Sequence, residues 1–390
     1  MKQTLYIILV CIITFSSCHI KEKEDNELYT KHLEKCRLIS LPIDESTNYL
    51  SKSIFQFEKN NREFLHFENS QNSTYDIVIF DLEKQKVERR IPLHSEGPHS
   101  VISMFGSKPI PNSNNIFAFQ HLTFRISIIN ANGEVLKNYQ LKNPGKYVRA
   151  LMGSFAYWPT FVKDSVLYFN QSCKAKKRRE VYNKLPMFAS LDLRTGEIAW
   201  PSLYFPATFD GDYTHISGDD GFSYDYNEKA GRLICSFMKY DSIMVTDNLC
   251  DVKWYNAKSK YLKSMKPNVN NHTNDLGALT RYSEEPKYSH IMYDKYRNIY
   301  YRFVEMPCEL ADNETPYDES APKAREFSVI ILNDKFEIIG ETKFPGNKYF
   351  YKMSFVGKDG LYISENNLAN PEFDENKLVF ACFKIVDNNK

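Results

Sequence analysis

Apolar runs that fill both faces of a strand recur along this chain, each followed by a polar turn and a more polar strand. The clearest is Tyr75–Leu93, YDIVIFDLEKQKVERRIPL. At period two, Ile77 and Ile79 fall on one face and Val78 and Phe80 on the other, which marks a strand buried on both faces. Asp81-Leu82-Glu83-Lys84-Gln85 supplies the turn, and Val87–Leu93 reads as an outer strand. The pattern returns at Ile126–Leu141, where Asn132-Gly133 is a strong hairpin signal, and again at Phe188–Leu203, Ile243–Tyr255 and Phe327–Phe344. Two further short β runs precede each copy, such as Ser53–Phe57 with Glu63–Phe67, and Tyr351–Val356 with Gly360–Ser364.

Four strands recurring in this way predict an all-β fold, a six-bladed β-propeller of four-stranded blades. The last unit stops at Lys377–Val386, one strand short. Cys36–Ile43, CRLISLPI, resembles the outer strand VERRIPL and is expected to pair with Leu378–Val386, closing the ring and removing the exposed sheet edges. Seven blades is the alternative, should Lys253–Tyr282 hide another unit. Tyr at 26 and Phe at 27 of 390 residues suit β structure. Gly at only 15 leaves most turns to Asn and Asp.

The N-terminus changes the picture from a free domain to an anchored one. Lys2 begins a positive region, and Leu5–Phe15 is an apolar stretch too short to span a membrane. Phe15-Ser16-Ser17-Cys18 resembles a bacterial lipobox, so residues 1–17 read as a lipoprotein signal peptide and Cys18 as the lipidation site. An ordinary cleaved signal is the other reading. Residues 18–35 form a charged tether, and 36–390 a single propeller domain. Lys21–Asp25, KEKED, resembles the acidic signal of surface-exported lipoproteins. The expected location is therefore the bacterial outer membrane, periplasmic or surface-exposed, with the surface the first of the two readings.

Loss of the signal removes Lys2 from 50 basic residues and leaves 49 against 49 acidic ones. A neutral chain argues against a nucleic-acid partner. Beyond Cys11 and Cys18, six cysteines remain, and none has CxxC or zinc spacing. Cys173 and Cys308 are the pair expected to lie on one face, and most of the others are expected to be reduced and buried.

In a propeller, links from first to second and from third to fourth strand lie on one face, and the remaining links on the other. Here the first set is short. The second carries the insertions, including Asn170–Pro186, Pro206–Gly221, Asn256–Tyr288 and Glu305–Glu326. Long loops on one side of a rigid scaffold are where function tends to sit.

Three stretches also carry a family resemblance: LPIDESTNYLSKSIFQF, IVIFDL with IPLHSEGPHSV, and YSHIMYDKYRNIYYRFVE. In these the chain resembles the Bacteroidota lipoproteins catalogued as domain of unknown function 4221. The resemblance implies a lipoprotein and a propeller, and brings no activity or site residues.

Candidate residues follow from the bends and the polar positions on inner strands. Glu96-Gly97-Pro98-His99 forms a tight bend between the first two blades; it either presents Glu96 and His99 to a ligand or only shapes the crossover. His290 and Arg302 lie on the first two strands of blade five, lining the channel or hydrogen-bonded inside the blade. Arg302 must be paired or solvated, because a lone buried charge is costly. Trp158, with Arg149 ahead of it, either stacks on a sugar at the channel mouth or packs within its blade. Lys174–Arg179 is a basic loop, and Asp312–Glu319 an acidic one.

No nucleophile elbow, HExxH, P-loop or GxGxxG is present. Asp219, Asp220 and Asp225 cluster on blade four, without the repeated inner acids that a glycosidase would use. His99, His215, His272 and His290 have no metal spacing. No metal, cofactor or catalysis is expected. The sequence reads as a membrane-anchored propeller binding a protein or glycan through its long-loop face. A polysaccharide hydrolase or lyase acting at the channel mouth is one alternative, and a structural subunit of an envelope complex is another.

Overall fold

The computed structural model describes residues 29–71, 74–141, 148–151, 153–173, 186–206, 221–263, 265, 275–318 and 320–388. The fold is all-β and propeller-like. β1 (Lys31–Pro42) enters first and is used last. One sheet follows from β2 (Ile54–Lys59), β3 (Arg62–Gln71), β4 (Thr74–Asp81) and β5 (Lys86–Pro92). A second is β6 (Met104–Pro109), β7 (Ile116–Gln120), β8 (Arg125–Ile129) and β9 (Val135–Gln140). The third has five strands: β10 (Val148–Leu151), β11 (Phe161–Lys163), β12 (Val166–Cys173), β13 (Phe188–Asp192) and β14 (Ile198–Ala199). The fourth is β15 (Phe222–Asn227), β16 (Arg232–Phe237), β17 (Ser242–Thr246) and β18 (Lys253–Asn256).

The remaining strands are β19 (Lys287–Asp294), β20 (Ile299–Glu305), β21 (Phe327–Leu332), β22 (Ile338–Phe344), β23 (Phe350–Gly357), β24 (Gly360–Ser364) and β25 (Lys377–Asp387). With β1 they form a single eight-stranded sheet, in the order β19-β20-β21-β22-β1-β25-β24-β23. This corrects the expectation of six separate blades: four sheets stand apart and the last eight strands are joined. The join is narrow. β1 begins at Lys31, five residues before the expected Cys36, and its first residue makes one parallel pair with Gly340 of β22. The expected closing strand is present, and longer: β1 runs antiparallel to β25 from Lys31↔Asp387 to Pro42↔Lys377. Lys31–Lys35, read as tether, are therefore sheet. No seventh unit lies in the described part of Lys253–Tyr282, which holds β18 and the start of helix α1 (Asp275–Glu284).

The two-sided apolar pattern has its reason in the packing between sheets. Ile77 and Ile79 of β4 face Met104, Ile116 and Ala118 of the second sheet. Val78 and Phe80 face the other way, onto Phe355, Leu378 and Phe380. Similar cores join the second sheet to the third, the third to the fourth, and the fourth to β19–β22. Another joins β19–β22 to β23–β25, so the arrangement closes on itself. Each apolar face removed from water contributes roughly 25 cal/mol per Å², and closure leaves none of these inner strands half-covered.

Asparagine does serve the turns, as the low glycine content requires. Asn60 and Asn61 at the β2–β3 turn both hold positive φ, at 51° and 60°, a combination that non-glycine residues other than Asn and Asp adopt reluctantly. Gly133 is one position that needs glycine: its φ is +83°, and a Cβ there would lie 1.9 Å from the Pro92 carbonyl oxygen.

Candidate functional site

The inner strands converge on one cavity of about 810 Å³. β2, β6, β15, β19 and β23 supply its walls, together with Ala156 and Pro159 just before β11. Both edges of the eight-stranded sheet, β19 and β23, reach it. Its closed end is buried apolar surface from Ile54, Ala156, Pro159, Met292 and Phe355. Its open end is a rim of exposed residues: Glu58, Lys59, Asn60, Asn114, Glu228, Lys229 and Lys295. These sit on the short first-to-second-strand turns. The cavity thus opens on the hairpin side, opposite the face where the sequence places the long insertions. Of those insertions, 174–185, 207–220 and 266–274 lie outside the described residues.

Two opposite charges line the cavity. Lys108 of β6 is half-buried, donates from Nζ to the Thr160 carbonyl at 2.5 Å, and lies 5.2 Å from the centre of the Phe55 ring. Burial lowers its amine's affinity for a proton, against the opposing pull of Asp225 and Glu228. Asp225 of β15 accepts the backbone N–H of Tyr293 at 2.7 Å and of Tyr226 at 2.8 Å. Burial still pushes its carboxyl up to about 6, because those N–H groups and Lys108 offset only part of the desolvation. Each group feels the other's charge, yet among the described residues neither has an ion-pair partner within 4.0 Å. Phe55, Phe57, Tyr226 and Tyr293 add aromatic surface.

The rim is braced rather than free. Tyr296 donates its hydroxyl to Glu58 at 2.6 Å, and Lys358 and Lys295 lie 3.1 and 3.4 Å from the same carboxylate. The Tyr296 hydrogen bond first, and then the two lysines, hold Glu58 below the usual carboxylate range. Lys59 donates to Asn114 at 2.5 Å.

Of the binding residues expected from sequence, Glu96, His99, Trp158, His290 and Arg302 do not line this cavity, whereas Asp225, noted only as one of three clustered acids, does. Glu96 is exposed on the crossover between β5 and β6. His99 turns toward the rim of the second sheet, where its Nδ1 accepts the Val135 N–H at 3.1 Å. Trp158 is half-buried and donates from Nε1 to the Phe222 carbonyl, with Tyr157 edge-on at 4.9 Å. His290 is 3% exposed; it pairs with the Ser289 hydroxyl at 2.9 Å and stacks on Phe303 at 3.8 Å. Burial drops its imidazole to about 3, so it stays neutral.

Arg302 is fully buried, between the fourth sheet and β19–β22. It donates to the Ser236 hydroxyl at 2.8 Å and to the carbonyls of Tyr240 at 2.6 Å and Ala257 at 2.8 Å, and lies 3.4 Å from the centre of the Tyr288 ring. It is satisfied without a carboxylate, and its role is to join two sheets. His290 and Arg302 face opposite sides of their own sheet. The side chain of Arg149, on β10, and Cys18 lie outside the described residues, as do Asp219, Asp220, His215, His272 and Lys174–Arg179. Cys308 carries a free thiol; the side chain of Cys173 is outside the described residues.

Asp225 was visible in the sequence as one of three acids, but Lys108, in SKPIPN, was not. The available signal was its place next to the last residue of the inner strand β6, near the strand end as Asp225 is on β15.

A ring of sheets around a cavity of mixed polar and apolar lining, with no group of metal-ligating side chains among the described residues, defines a propeller-like protein. The chain belongs to the family described as Domain of unknown function (DUF4221), which it matches over residues 33–343. It is similar to a member of that family from Bacteroides vulgatus whose crystal structure is known. Identity is 53%, the TM-score is 0.86, and the match covers 92% of this chain and 99% of that one. A Bacteroides fragilis protein described as exported shares the fold at 11% identity and a TM-score of 0.50, over 92% of this chain and 96% of that one. No curated protein matches the chain.

Proposed function

We propose that this protein is a membrane-anchored lipoprotein that binds a glycan in its central cavity, without catalysis. The observation that carries the reading is the pair Lys108 and Asp225, both lining one cavity and joined to each other by no ion pair. A sugar offers hydroxyls that donate to the Asp225 carboxylate and accept from the Lys108 amine, and its ring faces stack on Phe55 and Tyr293. The rim mixes Lys59, Lys229 and Lys295 with Glu58 and Glu228, which favours a neutral saccharide over a polyanion. The site is recessed, which favours a short glycan over a folded protein surface. This moves the expected site from the long-loop face to the hairpin face.

Lipid on Cys18 would hold the domain at the outer membrane, on its outer surface. Labelling with a fatty acid that is lost in Cys18→Ala tests the anchor.

Binding is tested by screening the mature protein on a glycan array and titrating any hit by calorimetry. We expect Asp225→Asn and Lys108→Met each to weaken binding about tenfold or more, the loss of a charge-assisted hydrogen bond. Unchanged affinity in both variants overturns the site. A second reading has one observation in its favour. Asp225, poised near 6 in a cavity that also holds Glu58 and Glu228, suits a general acid of a polysaccharide hydrolase or lyase. Turnover of the bound glycan, lost in Asp225→Asn, would move the protein to that class.

A further inference from the structure

The ring is closed by hydrogen bonds between the two chain termini, and two cysteines meet at that seam. β1 pairs regularly with β25 up to Lys35↔Phe383, then resumes at Arg37↔Cys382. Cys36 is the extra residue of a β-bulge, so Cys36 and Arg37 together oppose Cys382. A bulge turns its extra side chain toward the residue it opposes instead of to the far face. The contacts agree. The Cys36 Sγ lies 3.3 Å from the Cys382 carbonyl oxygen, and the Cys36 side chain is close enough to raise the Cys382 thiol's pKa. Arg37, on the same face, donates to the Tyr362 hydroxyl beside them. Cys36 is exposed, while Cys382 is buried and part of the core between the eight-stranded sheet and β2–β5.

We propose that Cys36 and Cys382 form a disulfide that locks the N-terminal strand into the ring. The exposed Cys36 thiolate attacks an external disulfide, either oxidised glutathione or the disulfide of a thiol oxidoreductase, and releases one thiol. Cys382 then attacks the Cys36 sulfur of the mixed disulfide and releases the second. One external disulfide is reduced to two thiols as one protein disulfide forms, and no other oxidant is needed. Burial pushes the Cys382 thiol up to about 12, so Cys36 is the attacking group and Cys382 the resolving one.

The consequence is mechanical as well as thermodynamic. Load on the chain upstream of residue 29 enters the fold at Tyr29 and Thr30, whose carbonyls Asn388 holds, and passes into β1. Peeling β1 from β25 breaks the pairs from Lys31↔Asp387 to Lys35↔Phe383 first, and the disulfide then stops it. Because the bond links residues 346 apart, it also constrains nearly the whole unfolded chain.

The test is to incubate the reduced mature protein with oxidised glutathione, alkylate it in denaturant, and map the peptides by mass spectrometry. We expect a linked peptide pair containing Cys36 and Cys382, lost in Cys36→Ser. We also expect the melting temperature of the oxidised wild type to exceed that of the reduced protein by about 5 °C, with no such difference in Cys36→Ser. Cys36→Ser sits at an exposed position and leaves the core intact, so a folding defect does not confuse the result. Full alkylation of both cysteines, or Cys36 held as a lasting mixed disulfide with glutathione, overturns the proposal.

Discussion

Two sets of poorly solvated charges in this fold have opposite electrostatics. In the cavity lining, Asp225 and Lys108 stand apart, and burial raises the carboxyl to about 6. Between β19–β22 and β23, Glu305 is buried deeper still, at 3% exposed, yet its carboxyl is held down at about 2. Burial pushes Glu305 upward as well. The difference is Lys287 at 3.2 Å and Arg325 at 3.4 Å, both themselves buried, whose charges outweigh desolvation. A carboxylate enclosed by cations is already answered and serves the fold. One held by backbone amides opposite a distant amine has capacity left for a ligand. Arg302 belongs with Glu305, since carbonyls and the Tyr288 ring fill its whole environment.

The largest effects should therefore come from the answered charges. Glu305→Gln leaves Lys287 and Arg325 buried without an anion, and we expect a loss of about 3–5 kcal/mol in urea unfolding. Arg302→Met strands the carbonyls of Tyr240 and Ala257, and about 2–4 kcal/mol should follow. By contrast, Lys108→Met should change stability by no more than about 1 kcal/mol, since it removes one hydrogen bond and one poorly solvated charge. If Lys108→Met proves as damaging as Glu305→Gln, the distinction between the two sets fails.

Titration sharpens the same contrast, because the two acids have opposite slopes. The Glu305 contribution is present above its ordinary value near 4.5 and lost as pH falls toward 2. Asp225 works the other way. With a folded value near 6 against an ordinary 3.8, the native state holds the extra proton between those limits, so its contribution falls as pH rises from about 4 to 6. Asp225→Asn abolishes that dependence. Relative to wild type, the variant should gain about 1–2 kcal/mol between pH 4 and pH 6.5, read from urea midpoints at each pH. A flat difference would mean that solvent in the cavity relieves Asp225 of its burial.

The repeat was legible because two-sided apolar strands such as Ile77–Phe80 need partners on both faces, and only stacked sheets supply them. The closing strand was legible for a similar reason: an incomplete last unit leaves an edge to be covered. The joining of eight strands was not, since it hangs on one pair, Lys31↔Gly340, made by a residue that reads as tether. Helix α1 was missed because its ten residues, DLGALTRYSE, have a weak apolar stripe. The site was harder. Polar residues inside apolar strands, such as His290 and Arg302, look the same in sequence whether they meet a cavity or the backbone of the next sheet. Only the neighbouring sheet's carbonyls, distant in sequence, decide between the two.

The smallest effect expected is at the bend that attracted most notice, Glu96-Gly97-Pro98-His99. Glu96 is exposed, and its replacement by Ala should move stability by less than about 0.5 kcal/mol and leave glycan affinity unchanged. His99→Ala removes the acceptor for the Val135 N–H, a part-buried donor at the start of β9, and should cost about 1 kcal/mol. The two variants together therefore separate a crossover that only shapes the chain from one that presents a ligand site. Calorimetric titration of Glu96→Ala with the cavity ligand is the deciding measurement. A tenfold loss would place a second determinant on the side of the molecule away from Lys108 and Asp225, and the rule that unanswered buried charge marks the site would not hold here.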